Sequence, residues 1–153
     1  MKTYSILCLS LIALITSSFS EPENGAVNSN SWSISIGKKE ILASYKGNKM
    51  GDLATIETAS VKPTDVLVAK RYLCGMSAQD ATSTLIFKNS SNDIINETQN
   101  TDDGMTFFVR LPMAKILESP NFEKGIVDVY FVIDTKVKTE KKDAVLLGRL
   151  NFK

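Results

Sequence analysis

From Trp32 to Phe152 the apolar residues recur at every second position in short runs, and clusters of Gly, Asn, Asp, Ser and Pro separate the runs. A side-chain period of two belongs to an extended strand with one buried face. The chain is therefore read as β-structure. Trp32, Ile34 and Ile36 alternate with Ser31, Ser33 and Ser35, which gives a first half-buried strand. Gly37, Lys38 and Lys39 turn the chain into a second strand, Ile41 to Tyr45, and Gly47, Asn48 and Gly51 mark its exit.

Further along, Leu53 to Lys62 reads as a loop with a short edge strand before Pro63, because the residue before proline favours extended backbone. The apolar run Val66 to Ala69 continues to Leu73 and suggests a central strand, covered on both faces or crossing from core to rim. Gly75 to Ser83 is small and polar, so it is expected to connect. Thr84 to Lys88 then forms a hairpin with Ile94 and Ile95 through the turn Asn89 to Asp93. Asn100 to Gly104 is a second turn cluster, followed by a strand with Met105, Phe107, Val109 and Leu111 on one face. Pro112 suits the first position of a short helix, Met113, Ile116 and Leu117 recur at helical spacing, and Pro120 stops it. Val127, Val129, Phe131 and Ile133 make the next strand, and Leu146, Gly148, Leu150 and Phe152 the last, antiparallel to it across the loop from Asp134 to Ala144.

Seven to eight short alternating antiparallel strands with one short helix predict an all-β fold, a single β-sandwich of immunoglobulin-like type. A closed β-barrel is the alternative. Trp32 on the first strand is also a lipocalin feature, but Asn30 stands where that pattern has glycine, so Trp32 is read as a core residue. No linker divides residues 31–153, which are expected to form one domain.

The start of the chain carries the compartment. Lys2 is the sole charge before Glu21, and the Ile- and Leu-rich stretch Tyr4 to Ile15 is followed by Thr16, Ser17, Ser18, Phe19 and Ser20. This is the layout of a secretory signal peptide, with small residues at Ser18 and Ser20 placing the cut before Glu21. The run is shorter than the ~20 residues that span a bilayer. Residues 1–20 are thus assigned to a signal peptide and 21–30, with Pro22, Gly25 and several asparagines, to a flexible leader. The expected location is secreted or periplasmic, in the cell envelope, with no stable membrane anchor after cleavage. Cys8 lies too early in the apolar run for an acylated lipoprotein cysteine and leaves with the signal.

Charge then limits the partners. Loss of Lys2 balances the remaining basic residues against 17 acidic ones. A nucleic-acid binder carries a basic domain or stripe, so none is expected, and no polybasic membrane patch is present. Lys136, Lys138, Lys141 and Lys142 are interleaved with Asp134, Glu140 and Asp143 and read as a solvated loop tip.

The chain contains no histidine. This removes the commonest general base, the usual catalytic triads and most zinc or copper sites. Cys74, left single, cannot form an intrachain disulfide and has no neighbouring base to lower its pKa, so it is expected to be a buried structural cysteine. Aligning Gly104 with the glycine of a calcium loop puts Thr101 and Gln99 where carboxylates are needed, and a hairpin turn is preferred. Asp128 with Asp134 is a carboxylate pair of the kind glycoside hydrolysis uses, but without a motif it reads as solvent-facing strand charge. Asn89-Ser90-Ser91 and Asn96-Glu97-Thr98 satisfy the glycosylation sequon, and they place surface without assigning function.

No catalytic, cofactor-binding or metal-binding residues are assigned, and no cofactor is expected. The sequence points to a non-enzymatic protein acting through protein contacts, as an accessory subunit, adhesion module or inhibitor. A small β-barrel carrier of an apolar ligand is the alternative.

Overall fold

The computed structural model describes residues 30–75, 78–135 and 144–153. The segments read as signal peptide and, for the most part, leader, and the lysine-rich stretch 136–143, lie outside the described residues. Strands β1 (Asn30–Ile36), β2 (Lys39–Ala43), β3 (Leu53–Ile56), β4 (Val66–Leu73), β5 (Ala78–Lys88), β6 (Ile94–Gly104), β7 (Thr106–Pro112), β8 (Gly125–Asp134) and β9 (Val145–Phe152), with a one-turn helix α1 (Ala114–Leu117), make up the regular structure. They form two sheets, of order β2-β1-β4-β7 and β3-β9-β8-β5-β6. The architecture is an all-β sandwich. Each sheet ends in two edge strands, so neither closes and the barrel alternative is overturned.

Alternation accounts for most of the core. Trp32, Ile34 and Ile36 on β1 meet Leu67, Ala69 and Leu73 on β4 and Phe107, Val109 and Leu111 on β7, all buried. Facing them are Leu85 and Phe87 on β5, Val127, Val129 and Phe131 on β8, and Leu150 and Phe152 on β9. Burial of one such side chain contributes about 1.5–3 kcal/mol. Met113 and Ile116, both fully buried, set α1 against one end of the core. The Met113 N–H donates to the Asp65 carbonyl at 2.8 Å and the Ala114 N–H to that of Pro63 at 3.0 Å, which ties this end to the turn before β4.

Several local expectations are corrected. β2 ends at Ala43, and Tyr45 lies in a 3-10 turn over Ser44–Lys46 with its side chain exposed. β4 has one buried face, since it sits between β1 and β7 with Val66 and Lys70 turned to solvent. Pro112 closes β7 instead of opening the helix. β5 begins at Ala78, and β6 runs through Asn100 to Gly104, where a connection and a turn were expected. The physical reason is pairing: Ser83 and Asp102 are buried on these strands and hydrogen-bonded to each other, so polar residues occupy core positions and break the hydrophobic rhythm.

The last strand carries a subtler correction. A bulge between Val129 and Tyr130 inserts one extra residue on β9, so Leu147 is buried in the core and Leu146 lies opposite Tyr130. Past the bulge, Gly148 packs so tightly that a Cβ there would fall 2.5 Å from Leu42 Cδ1 of the other sheet. β9 also pairs parallel with β3, with Leu53 opposite Arg149 and Ile56 opposite Phe152. It is therefore an interior strand with no edge to offer.

Candidate interaction surfaces

The residues singled out for chemistry do not converge. Asp128 and Asp134 lie six residues apart on β8, about 20 Å along a strand, far beyond the spacing glycoside hydrolysis needs. Asp128 pairs instead with Arg149 at 3.4 Å. In the supposed calcium loop, Asp102 points inward and Asp103 accepts the Asp80 N–H at 2.8 Å. Among the described residues no cluster of three or more His, Cys, Asp or Glu side chains forms a metal site.

Cys74 is exposed, which corrects the buried reading. β4 stops at Leu73, and Cys74 with Gly75 turns the chain out of the sheet, Gly75 taking φ +80°. The Cys74 N–H donates to Asn30 Oδ1 at 3.2 Å. Both sequon asparagines are engaged. Asn89 Oδ1 accepts the N–H groups of Ser91 and Asp93, and its Nδ2 donates to the Asn121 carbonyl at 3.2 Å. Asn96 Oδ1 accepts the hydroxyl of Thr98 at 2.8 Å.

What the fold does assemble is a face. On the outer side of the β2-β1-β4-β7 sheet, the register sets Ser31, Tyr72 and Thr106 in one row, Ser33, Lys70 and Phe108 in the next, and Ser35, Val68 and Arg110 in a third. Tyr45, 70% exposed, stands over the Ser31 side. Arg110 lies over the Phe108 ring, 5.3 Å from its centre. Tyr72 reaches the sulfur of Met105 at 4.0 Å, and Met105 is itself exposed. Glu40 is the acidic group of this face, and it is occupied: Lys46 Nζ sits 2.8 Å from its carboxylate and the Tyr45 hydroxyl donates to it. Those two contacts, Lys46 first, hold the Glu40 carboxyl below its ordinary value, while the same bonds raise Lys46 and Tyr45 above theirs. Lys70 and Arg110 make no ion pair among the described residues. On the inner side, burial lowers the pKa of Arg71, which lies opposite Trp32 and Phe107.

The four sheet edges are managed differently. At β2, Ala43 donates its N–H to Asn48 Oδ1 at 3.0 Å and accepts the Asn48 N–H at 3.3 Å. At β7, Asp102 Oδ2 accepts the Phe108 N–H and Asn100 Nδ2 donates to the Phe108 carbonyl, both at 3.1 Å. Side chains of β6 thereby clasp the rim of the opposite sheet. Asp102 also accepts the Ser83 hydroxyl at 2.8 Å and Asn100 Nδ2 at 2.7 Å, so both of its buried oxygens have partners. β3 is only four residues long. β6 is the long edge, with 11 residues, and among the described residues side chains reach only the backbone at its start: Asn121 Nδ2 and the Ser119 hydroxyl donate to the carbonyls of Ile94 and Ile95.

Sequence reasoning missed this face because its residues are spread over three strands and a 3-10 turn. The Ser31, Ser33, Ser35 alternation was its one local signal. Compared with protein-family models, curated proteins and solved structures, the chain matches none.

Proposed function

We propose that this chain is an exported, non-catalytic sandwich that works through protein–protein contacts, as an accessory subunit, adhesion module or inhibitor, in the secreted or periplasmic space. The observation that carries the reading is the outward face that sets the exposed Tyr45 and the half-buried Tyr72 and Phe108 beside Lys70 and Arg110, cations without an ion pair among the described residues. Aromatic side chains and arginine are the groups that dominate protein interfaces. The net positive sign of the face selects an acidic partner surface.

The finer topology is read as immunoglobulin-like. Setting β2 and β3 aside, β1, β4 and β7 fall in one sheet and β6, β5, β8 and β9 in the other. This differs from the constant-type immunoglobulin arrangement by one strand, the fourth, which there pairs in the sheet of the first, second and fifth. Apolar residues stand in β4 and β8, where antibody domains carry their disulfide. The carrier alternative required a barrel interior, and here Phe87, Phe107, Phe131 and Phe152 fill the space between the sheets.

The test is capture from the producing cell's envelope with the full exported chain and with a Tyr45→Ala, Lys70→Glu double variant. The expected result is a captured protein with wild type and at least about a tenfold loss with the variant, as hot-spot truncation predicts. Equal capture by both would overturn the assignment of this face. Mass analysis of the exported chain is expected to show Glu21 at its start, and an intact Met1 would refute export by cleavage.

A further inference from the structure

Three of the four edges give a partner strand little purchase: β2 is plugged at Ala43, β7 is clasped at Phe108, and β3 is four residues long. β6 differs. Along residues 96–103 no backbone group bonds beyond the ladder to β5 among the described residues. In an antiparallel edge strand every second residue turns its N–H and C=O away from its neighbour. Residues 96–103 therefore present about four such donor–acceptor pairs in a row. Only another extended backbone matches that spacing.

We propose that residues 96–103 of β6 take up an extended, basic segment of a protein partner as an added strand. The charge of the edge selects the segment. Glu97 and Asp103 are exposed, with Gln99 and Thr101 between them, and β6 carries no cation. Beside the edge a shallow depression of about 380 Å3 is floored by Thr84, Ile86 and Val132 and rimmed by Glu97 and Gln99. Lysine or arginine on the outer face of the added strand becomes the direct cross-strand neighbour of Glu97 and Gln99, with its charge beside the Glu97 carboxylate at the rim of this depression. Pairing with a second copy of β6 would bring two acidic edges together, which like-charge repulsion disfavours. The proposal rests on the chain acting through a protein partner, and adds a main-chain attachment distinct from the aromatic face.

The experiment uses the full exported chain, isotopically labelled, with a capped peptide of alternating Lys and Thr as probe. Its control is the same peptide N-methylated at alternate amides, which keeps the charge and loses the hydrogen bonds. The expected result is slowing of amide exchange by about tenfold or more, confined to β6, with the control binding about tenfold more weakly. A Glu97→Lys, Thr101→Lys double variant with an unchanged melt is expected to lose the peptide. The proposal is overturned if both peptides bind alike, if protection appears on β2 or β3, if the chain alone forms a β6-dependent dimer, or if no binding is seen at about 1 mM peptide. Capture of a protein that depends on Tyr45 and Lys70 while β6 stays unprotected would overturn this proposal and leave the aromatic face standing.

Discussion

At Gly148 the two sheets approach so closely that a side chain of any size meets Leu42, Ile34 and the Asp52 carbonyl. Gly148→Ala is expected to cost about 1–3 kcal/mol, because Leu42 is itself buried and must repack. Chemical denaturation would measure this as a lower midpoint at unchanged slope. Cys74 is the opposite case. Its exposure predicts that a thiol reagent labels it in the native protein at the rate of a small exposed thiol, and that Cys74→Ala shifts stability by no more than about 0.5 kcal/mol. Protection from the reagent without denaturant would contradict the exposed position. The sequence could not separate these outcomes, because a cysteine one residue past the end of a strand looks the same as one inside it.

The polar stretch of β6 forms a strand without an apolar face. Its inward positions Asn96, Thr98, Asn100 and Asp102 lack the apolar rhythm that revealed β1, β7 and β8, so only Ile94 and Ile95 announced the strand. The remainder was invisible to periodicity because its polar groups are satisfied by partners on neighbouring strands, Ser83 on β5 and Phe108 on β7. Asp102→Ala is expected to destabilise by about 2–4 kcal/mol, since it strands the Ser83 hydroxyl, the Asn100 amide and the Phe108 N–H. Asp102→Asn, which keeps one acceptor oxygen, is expected to recover part of that loss in the same melt. If Asp102→Ala melts with wild type, the clasp contributes nothing and the rim of β7 is held by the hydrophobic core alone. The bulge in β9 was hidden for a different reason. Leu146 and Leu147 are identical residues, and which of them faces inward is decided by the partner strand and not by the local sequence.

Over the whole molecule, the alternation pattern revealed two packed sheets but not which strands lie beside each other. That information resides in pairings such as β3 with β9, which join segments far apart in the chain. Truncation after Gly148 is expected to abolish the cooperative thermal transition, because it deletes Leu150 and Phe152, each worth about 2–5 kcal/mol, and strips β3 and β8 of their shared neighbour. A truncated chain that still melts cooperatively would show that β3 and β8 hold without it. The parallel pairing of β3 with β9 also sets an order in time. A ribosome makes β3 well before β9, so the place between β3 and β8 stays empty until β9 has been synthesised. Folding that waits on such distant partners is slow, in the range of milliseconds to seconds. During that interval the chain remains a threadable polymer, a state compatible with the export proposed above.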